Sequence, residues 1–148
     1  MTIAVGVASE GVRSPLTRSQ VTTVANSVLR GERVRNALLS VTFVSNHEIT
    51  RLNARHLRRK RVTDVIAFGF KRAGARQPII GDVYIAPAVA KSSAKENKVS
   101  YREELLRLIV HGVLHVLGYD HPDDQSREHS TMWKKQERYV HRLRAKIS

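Results

Sequence analysis

Residues 111–121 read His-Gly-Val-Leu-His-Val-Leu-Gly-Tyr-Asp-His, and this stretch restricts the fold more than any other part of the chain. His111 and His115 are four apart, so on a helix both project from one face, about one turn apart. Val113, Leu114, Val116 and Leu117 are all apolar, so the helix is expected to be buried. Two unpaired imidazoles in such a place would be costly. Gly118 can end the helix, because glycine takes the left-handed backbone conformation without a steric cost. The chain can then double back and bring His121 beside the other two. Three neutral imidazoles at three corners of a tetrahedron leave the fourth for water, the layout of a catalytic zinc site. A lone histidine on an apolar face is usually a satisfied core or surface residue. Three, with a glycine break between the second and third, point to a metal.

The spacing H-x-x-x-H-x-x-G-x-x-H resembles the metzincin protease signature at every position but one. Those proteases carry a glutamate after the first histidine as general base, and here the position is Gly112. A proteolytic base is therefore missing from a metal frame that is otherwise complete.

Charge is the second constraint. Twenty-six Lys and Arg face 13 Asp and Glu, a net charge of +13 and a pI near 10.9. Such an excess suits a polyanion: RNA, DNA or an acidic membrane surface. It is also clustered. Arg51, Arg55, Arg58, Arg59, Lys60 and Arg61 fall within residues 51–61 with no acid among them. Lys134, Arg138, Arg142 and Lys146 recur at i+4 steps, as a stripe along a predicted last helix. The absence of cysteine excludes disulfides and thiolate metal sites, and fits a reducing cytosol. No apolar run approaches the ~20 residues of a membrane span, and the N-terminal residues lack the basic start and long apolar core of a signal peptide. A cytoplasmic protein without a membrane partner is expected.

Residues 2–8 read as a strand, and the apolar positions from Leu16 to Leu29 follow a helical period stopped by Gly31. Residues 37–44 form a strand rich in β-branched residues at its end. Ser45 or Asn46 can cap a short helix through about His56 with Ile49 and Leu52 inward. Strands follow at 63–70 and 79–86. Pro87 opens a helix that ends near Asn97, and Ser100 with Glu103 suggests a capping box for the helix of His111 and His115. Asp123 or Asp124 can cap the last helix, with Met132, Val140, Leu143 and Ile147 inward. The expected fold class is α+β. Residues 1–148 form one compact domain, with about four strands in a mixed sheet, helices mainly on one side, and the zinc site at the end of a central helix. The strand order cannot be read from the sequence.

Three further segments, taken with the histidine frame, resemble the YbeY family of zinc-dependent endoribonucleases. They are Leu52-Asn53 followed by Thr63-Asp64-Val65-Ile66-Ala67-Phe68, then Gly81-Asp82-Val83-Tyr84-Ile85, and Gly118-Tyr119-Asp120-His121 within the frame itself. They span residues 52–121 in the expected order. Many members carry an arginine four residues after the asparagine; this chain has Leu57 there, with Arg58 directly following. Asp64 and Asp82 are read as structural residues that cap turns or bond backbone amides. Asp120 can orient a ligand histidine or simply shape the turn. For Trp133 and Tyr139, core packing is favoured over stacking on bases.

The resemblance implies a single-strand-specific endoribonuclease acting in ribosomal RNA processing, at the 3′ end of small-subunit RNA, and in ribosome quality control. One Zn2+ per chain is expected on His111, His115 and His121, which with Arg58 form the expected catalytic set. Arg55, Arg58, Arg59, Lys60 and Arg61 are the expected RNA contacts, because a guanidinium fork suits phosphate. Ribosomal RNA, small-subunit proteins and an assembly GTPase are the implied partners. The alternatives are a zinc-containing ribosome assembly factor without catalysis and, against Gly112, a metalloprotease.

Overall fold

The computed structural model of the chain describes residues 2–57, 65–70, 72, 74, 76–121 and 125–147, without the side chains of His56 and Leu57. In chain order the elements are β1 (Ile3–Glu10), α1 (Arg18–Gly31), β2 (Ala37–Val44), α2 (Asn46–Leu57), β3 (Val65–Phe70), β4 (Ile79–Ile85), α3 (Pro87–Glu96), α4 (Tyr101–Val116) and α5 (Thr131–Leu143). Short 3-10 turns at Gln125–His129 and Arg144–Lys146 flank α5.

The four strands lie in the order β1-β2-β4-β3. β2 pairs in parallel with both β1 and β4, and β3 runs antiparallel on the edge. β2 is thus central, which suits its run of Val41, Thr42, Phe43 and Val44. One face of the sheet carries the main core. Leu39, Val41 and Phe43 of β2, with Val83 and Ile85 of β4, meet Leu105, Leu106, Ile109 and Val113 of α4 in one buried cluster. α1 contributes Val21, Val24, Ala25, Val28 and Leu29, all fully buried. Each of the larger ones stabilises the fold by roughly 1.5–3 kcal/mol through burial alone. A smaller second cluster joins Val44, Ile49, Leu52, Ile66 and Ala86.

α4 lies close against the sheet, and glycines make this possible. A Cβ on Gly112 would lie 2.5 Å from Cγ1 of Val83, and one on Gly69 would lie 2.7 Å from the carbonyl oxygen of Val116. No side chain fits between helix and sheet at these points, so the end of α4 is pinned over β3 and β4.

The helix ends refine the sequence reading. α1 ends at Gly31 as expected, but the left-handed residue beyond it is Arg33 (φ 62°) and not the glycine. The Arg33 N–H bonds Arg30 and that of Val34 bonds Leu29, a Schellman cap. Lys98 (φ 56°) caps α3 in the same way, and Gly118 (φ 101°) caps α4, where Tyr119 N–H reaches Leu114. The box expected at Ser100 and Glu103 forms only by half. Ser100 Oγ accepts from the Glu103 N–H at 3.0 Å, while the Glu103 carboxylate goes to Arg107 and Arg144. The reciprocal box stands at Thr17 and Gln20, at the start of α1. Ser45 caps α2.

α5 is capped by Ser130, not by Asp123 or Asp124, because the 3-10 turn inserts one more bend before the helix starts. Asp123 and Asp124 lie outside the described residues, as do Thr63 and Asp64. α5 ends at Leu143, so Lys146 stands in the following 3-10 turn and the basic stripe on the helix is Lys134, Arg138 and Arg142. Ile147 still reaches the core, 2 % exposed. Asp82 accepts the Ser40 hydroxyl at 2.6 Å, a structural bond between neighbouring strands. Tyr139 is buried, and Trp133 lies under the Arg127 guanidinium.

Candidate metal centre

Helix geometry and the cap at Gly118 assemble the centre. His111 and His115 project from the last turns of α4, and the positive φ of Gly118 turns the chain so that His121 returns to them. The three rings lie 4.6, 5.0 and 5.1 Å apart, centre to centre. One nitrogen of each can be chosen so that all three lie within 4.8 Å of one another. His111 is buried, while His115 and His121 remain partly open.

The tautomer of His111 follows from its neighbours. Gln136 of α5 donates its amide N–H to Oε2 of Glu137 at 3.1 Å, which turns its carbonyl oxygen toward His111. That oxygen lies 2.7 Å from His111 Nδ1. Nδ1 must carry the proton, so Nε2 is left as a free lone pair. Glu137 is held in turn by Arg107 of α4, at 2.8 and 3.0 Å, and Arg107 also bonds Glu103 at 3.1 Å. A ligand histidine oriented by a second side chain is the usual architecture of a protein metal site. Gln136 is the residue that the sequence reading missed. Its signal was present: it sits four residues from both Met132 and Val140 in the inward stripe of α5, an amide in an apolar row, 2 % exposed.

Electrostatics favour the neutral form of His111 and His115, the form that binds metal. Burial, reinforced by the neighbouring His115, pushes His111 down to about 3 against an opposing bond from Gln136. Burial also lowers His115, with His121 adding to it. Burial tends to raise the Glu137 carboxyl, but the Arg107 bond outweighs it and holds the group below its ordinary value.

The turn that carries His121 has its own support. Asp120 accepts the main-chain N–H of His121 at 2.8 Å, so it shapes the turn through the backbone. Tyr119 donates its hydroxyl to Glu32, at the end of α1, at 2.6 Å. Tyr139 and Lys135 of α5 bond the same carboxylate at 2.5 and 3.0 Å. Glu32 thus ties the turn to two helices.

Gly112 faces β4 and not the histidines, since a side chain there would meet Val83. The position that holds the base in the proteases is packing surface in this fold. Among the expected RNA contacts, Arg55 is exposed on α2, while Arg58, Arg59, Lys60 and Arg61 lie outside the described residues.

The donor set fits a metal ion. Three imidazoles are gathered, one with its lone pair fixed and two open to solvent, without a fourth protein ligand among the described residues. This is how hydrolases with an exchangeable metal position are built. Residues 8–144 match the model of the family described as Endoribonuclease YbeY. The chain belongs to this family, and it is an RNA-cleaving hydrolase by membership. A relative named Endoribonuclease YbeY from Persephonella marina is 32 % identical over 135 residues, covering 90 % of this chain and 88 % of its own. One of the same name from Syntrophus aciditrophicus is 29 % identical over 140 residues, covering 93 % and 88 %. The solution structure of a Thermotoga maritima protein superimposes with a TM-score of 0.62 at 25 % identity, over 97 % of this chain and 91 % of that one. Among the described residues no helix is long and apolar enough to cross a membrane.

Proposed function

We propose that the chain is a zinc-dependent, single-strand-specific endoribonuclease of ribosomal RNA processing, acting at the 3′ end of small-subunit RNA and in ribosome quality control. In this reading it works in the cytoplasm, with small-subunit proteins and an assembly GTPase as partners. The observation that carries the metal chemistry is the bond from His111 to Gln136, because it leaves the His111 Nε2 lone pair free beside two further imidazoles. His111, His115 and His121 would hold the zinc. Bound there, zinc supplies a water acidified to a pKa of about 7 and an electrophile for a phosphoryl oxygen. The rest falls to the chain. Gln136 keeps the His111 ring in one tautomer and one orientation. Arg58, with Arg55, Arg59, Lys60 and Arg61, is assigned to the phosphate, where a guanidinium offers two parallel N–H donors. The net charge of +13 draws the polyanion in and makes its binding salt-dependent.

The test is cleavage of single-stranded RNA by highly purified protein, beside His115→Ala. Loss of cleavage in the variant, with folding intact, places the chemistry in this centre. Equal cleavage by both would assign it elsewhere. A protein that binds zinc and ribosomal subunits but never cuts RNA would be the assembly factor instead.

A further inference from the structure

Next to the histidine turn lies a cleft of about 660 Å³ between the α1–β2 turn and the β3–β4 loop. Arg33, Arg35, Arg72 and Arg76 line it, together with Leu117 and Tyr119. The two loops are tied together: Ile79 N–H bonds the carbonyl of Asn36 at 3.0 Å, and the Asn36 amide reaches the carbonyl of Arg76 at 3.5 Å. The four guanidinium groups therefore stand on a joined framework.

Three features make this a binding surface for anions. First, its one lining carboxylate, Glu32, is already satisfied by Tyr119, Tyr139 and Lys135, so it does not neutralise the arginines. Second, Arg33, Arg35 and Arg76 are exposed, and none has an acidic partner among the described residues. Third, Arg33 occupies the left-handed position of a Schellman cap, φ 62°, where the backbone favours glycine. A guanidinium stands there at a conformational cost that glycine would remove.

The cleft also adjoins the histidines. Tyr119 in its wall is two residues before His121, so the chain places the two Cα atoms within about 7 Å. We propose that this cleft is a second binding site for the RNA strand, holding phosphodiester groups beside the one that is cut at the histidines. The inference rests on the nuclease reading and extends it to the path of the substrate. Guanidinium groups contact phosphate without reading bases, so the site would add affinity with strand length and little sequence preference. An acidic protein segment would meet the same charges but has no reason to lie beside the histidine turn.

The experiment measures binding of 2′-O-methyl oligoribonucleotides of increasing length to the zinc-loaded full chain, across a salt series. Wild type is compared with the triple variant Arg33→Gly, Arg35→Ser, Arg76→Ser. Lys98→Gly serves as control, because it relieves the same left-handed backbone at the other end of α4, about 24 Å away for 16 residues. In wild type, affinity should rise with length until the cleft is filled. The triple variant should lose that rise, bind the longest strand at least about tenfold more weakly, and show a log–log salt slope lower by about 2, at about 0.7 per phosphate contact on a single strand. Its zinc content and melting temperature should stay near wild type, and Lys98→Gly should bind like wild type. Equal length dependence and equal slope in the triple variant would overturn the proposal and leave the arginines to an acidic protein partner. A wild type that binds no RNA at any length would instead overturn the nuclease reading itself.

Discussion

The two sides of the histidine centre are supported in different ways. Behind His111, the supports are side chains packed between α4 and α5: Gln136 is 2 % exposed, and Arg107 and Glu137 close the chain behind it. Behind His121, the supports are a turn and one partly buried carboxylate, Glu32, which gathers Tyr119, Tyr139 and Lys135 beside the arginine cleft. The first side is fixed by packing, so a change there alters one ring with little relaxation. The second is fixed by hydrogen bonds that converge on one carboxylate, so a change there loosens the turn. One half of the centre is thus a rigid seat and the other a hinged clasp.

The largest effect should come from the seat itself. On the proposed zinc reading, His111→Ala removes one of the three imidazoles and leaves a cavity at a buried position, so zinc measured by elemental analysis should fall to near zero. Full zinc retention would break the reading of the centre. Next comes Gln136→Leu, which keeps the volume but no longer fixes the tautomer of His111. Loss of such a support typically costs about 10–100-fold in metal affinity. Competition against a chromophoric chelator measures it, and Gln136→Glu should recover part of the loss, because a carboxylate also accepts from Nδ1. An unchanged affinity in Gln136→Leu would mean that packing alone orients the ring.

Most of the fold was legible in the sequence, because its elements follow apolar periods that tertiary contacts do not override. The frame at His111, His115 and His121 was legible from local geometry: two histidines share a helix face and the third follows a glycine cap. Three kinds of information were not. Strand order depends on which edges meet, and β4 lies beside β2 through contacts far apart in the chain. The left-handed positions at Arg33 and Lys98 carry no glycine to announce them. The role of Glu32 needs residues from α1, the turn and α5 at one point, which no local pattern encodes.

Packing between α4 and the sheet gives a third prediction, of similar or smaller size. Gly112→Ala forces a methyl group against Val83, and overpacking of this kind costs about 1–3 kcal/mol. Thermal unfolding should show a lower Tm. Gly112→Glu should destabilise further and gain no zinc-dependent peptidase activity, since the side chain has no room on the face toward the sheet. Peptide cleavage by this variant, lost again on His115→Ala, would show that the position does reach the metal.

The smallest effect is expected at the clasp, from Tyr119→Phe. The change removes a 2.6 Å hydrogen bond to Glu32 but leaves Tyr139 and Lys135 in place. A bond to a charged acceptor contributes about 1.5–3 kcal/mol, and this one is only half-buried, so a loss near about 1.5 kcal/mol is expected. The pH dependence sharpens it. Burial tends to raise the Glu32 carboxyl, but the bonds from Tyr119, Tyr139 and Lys135 outweigh it and hold the group below its ordinary 4.5. A carboxyl lowered on folding stabilises the native state above its unfolded pKa, and that stability is lost as the pH falls through the folded value. Without the Tyr119 hydroxyl the folded value moves back up toward the unfolded one, so the acid decline in Tm should be smaller and should finish at a higher pH than in wild type. Glu32→Gln should lose this component of the acid limb altogether. Zinc should dissociate faster from Tyr119→Phe, because the turn that carries His121 is less firmly held. If the release rate and the acid limb both match wild type, the turn is held by its main chain alone, through Gly118 and Asp120, and the centre has two rigid sides.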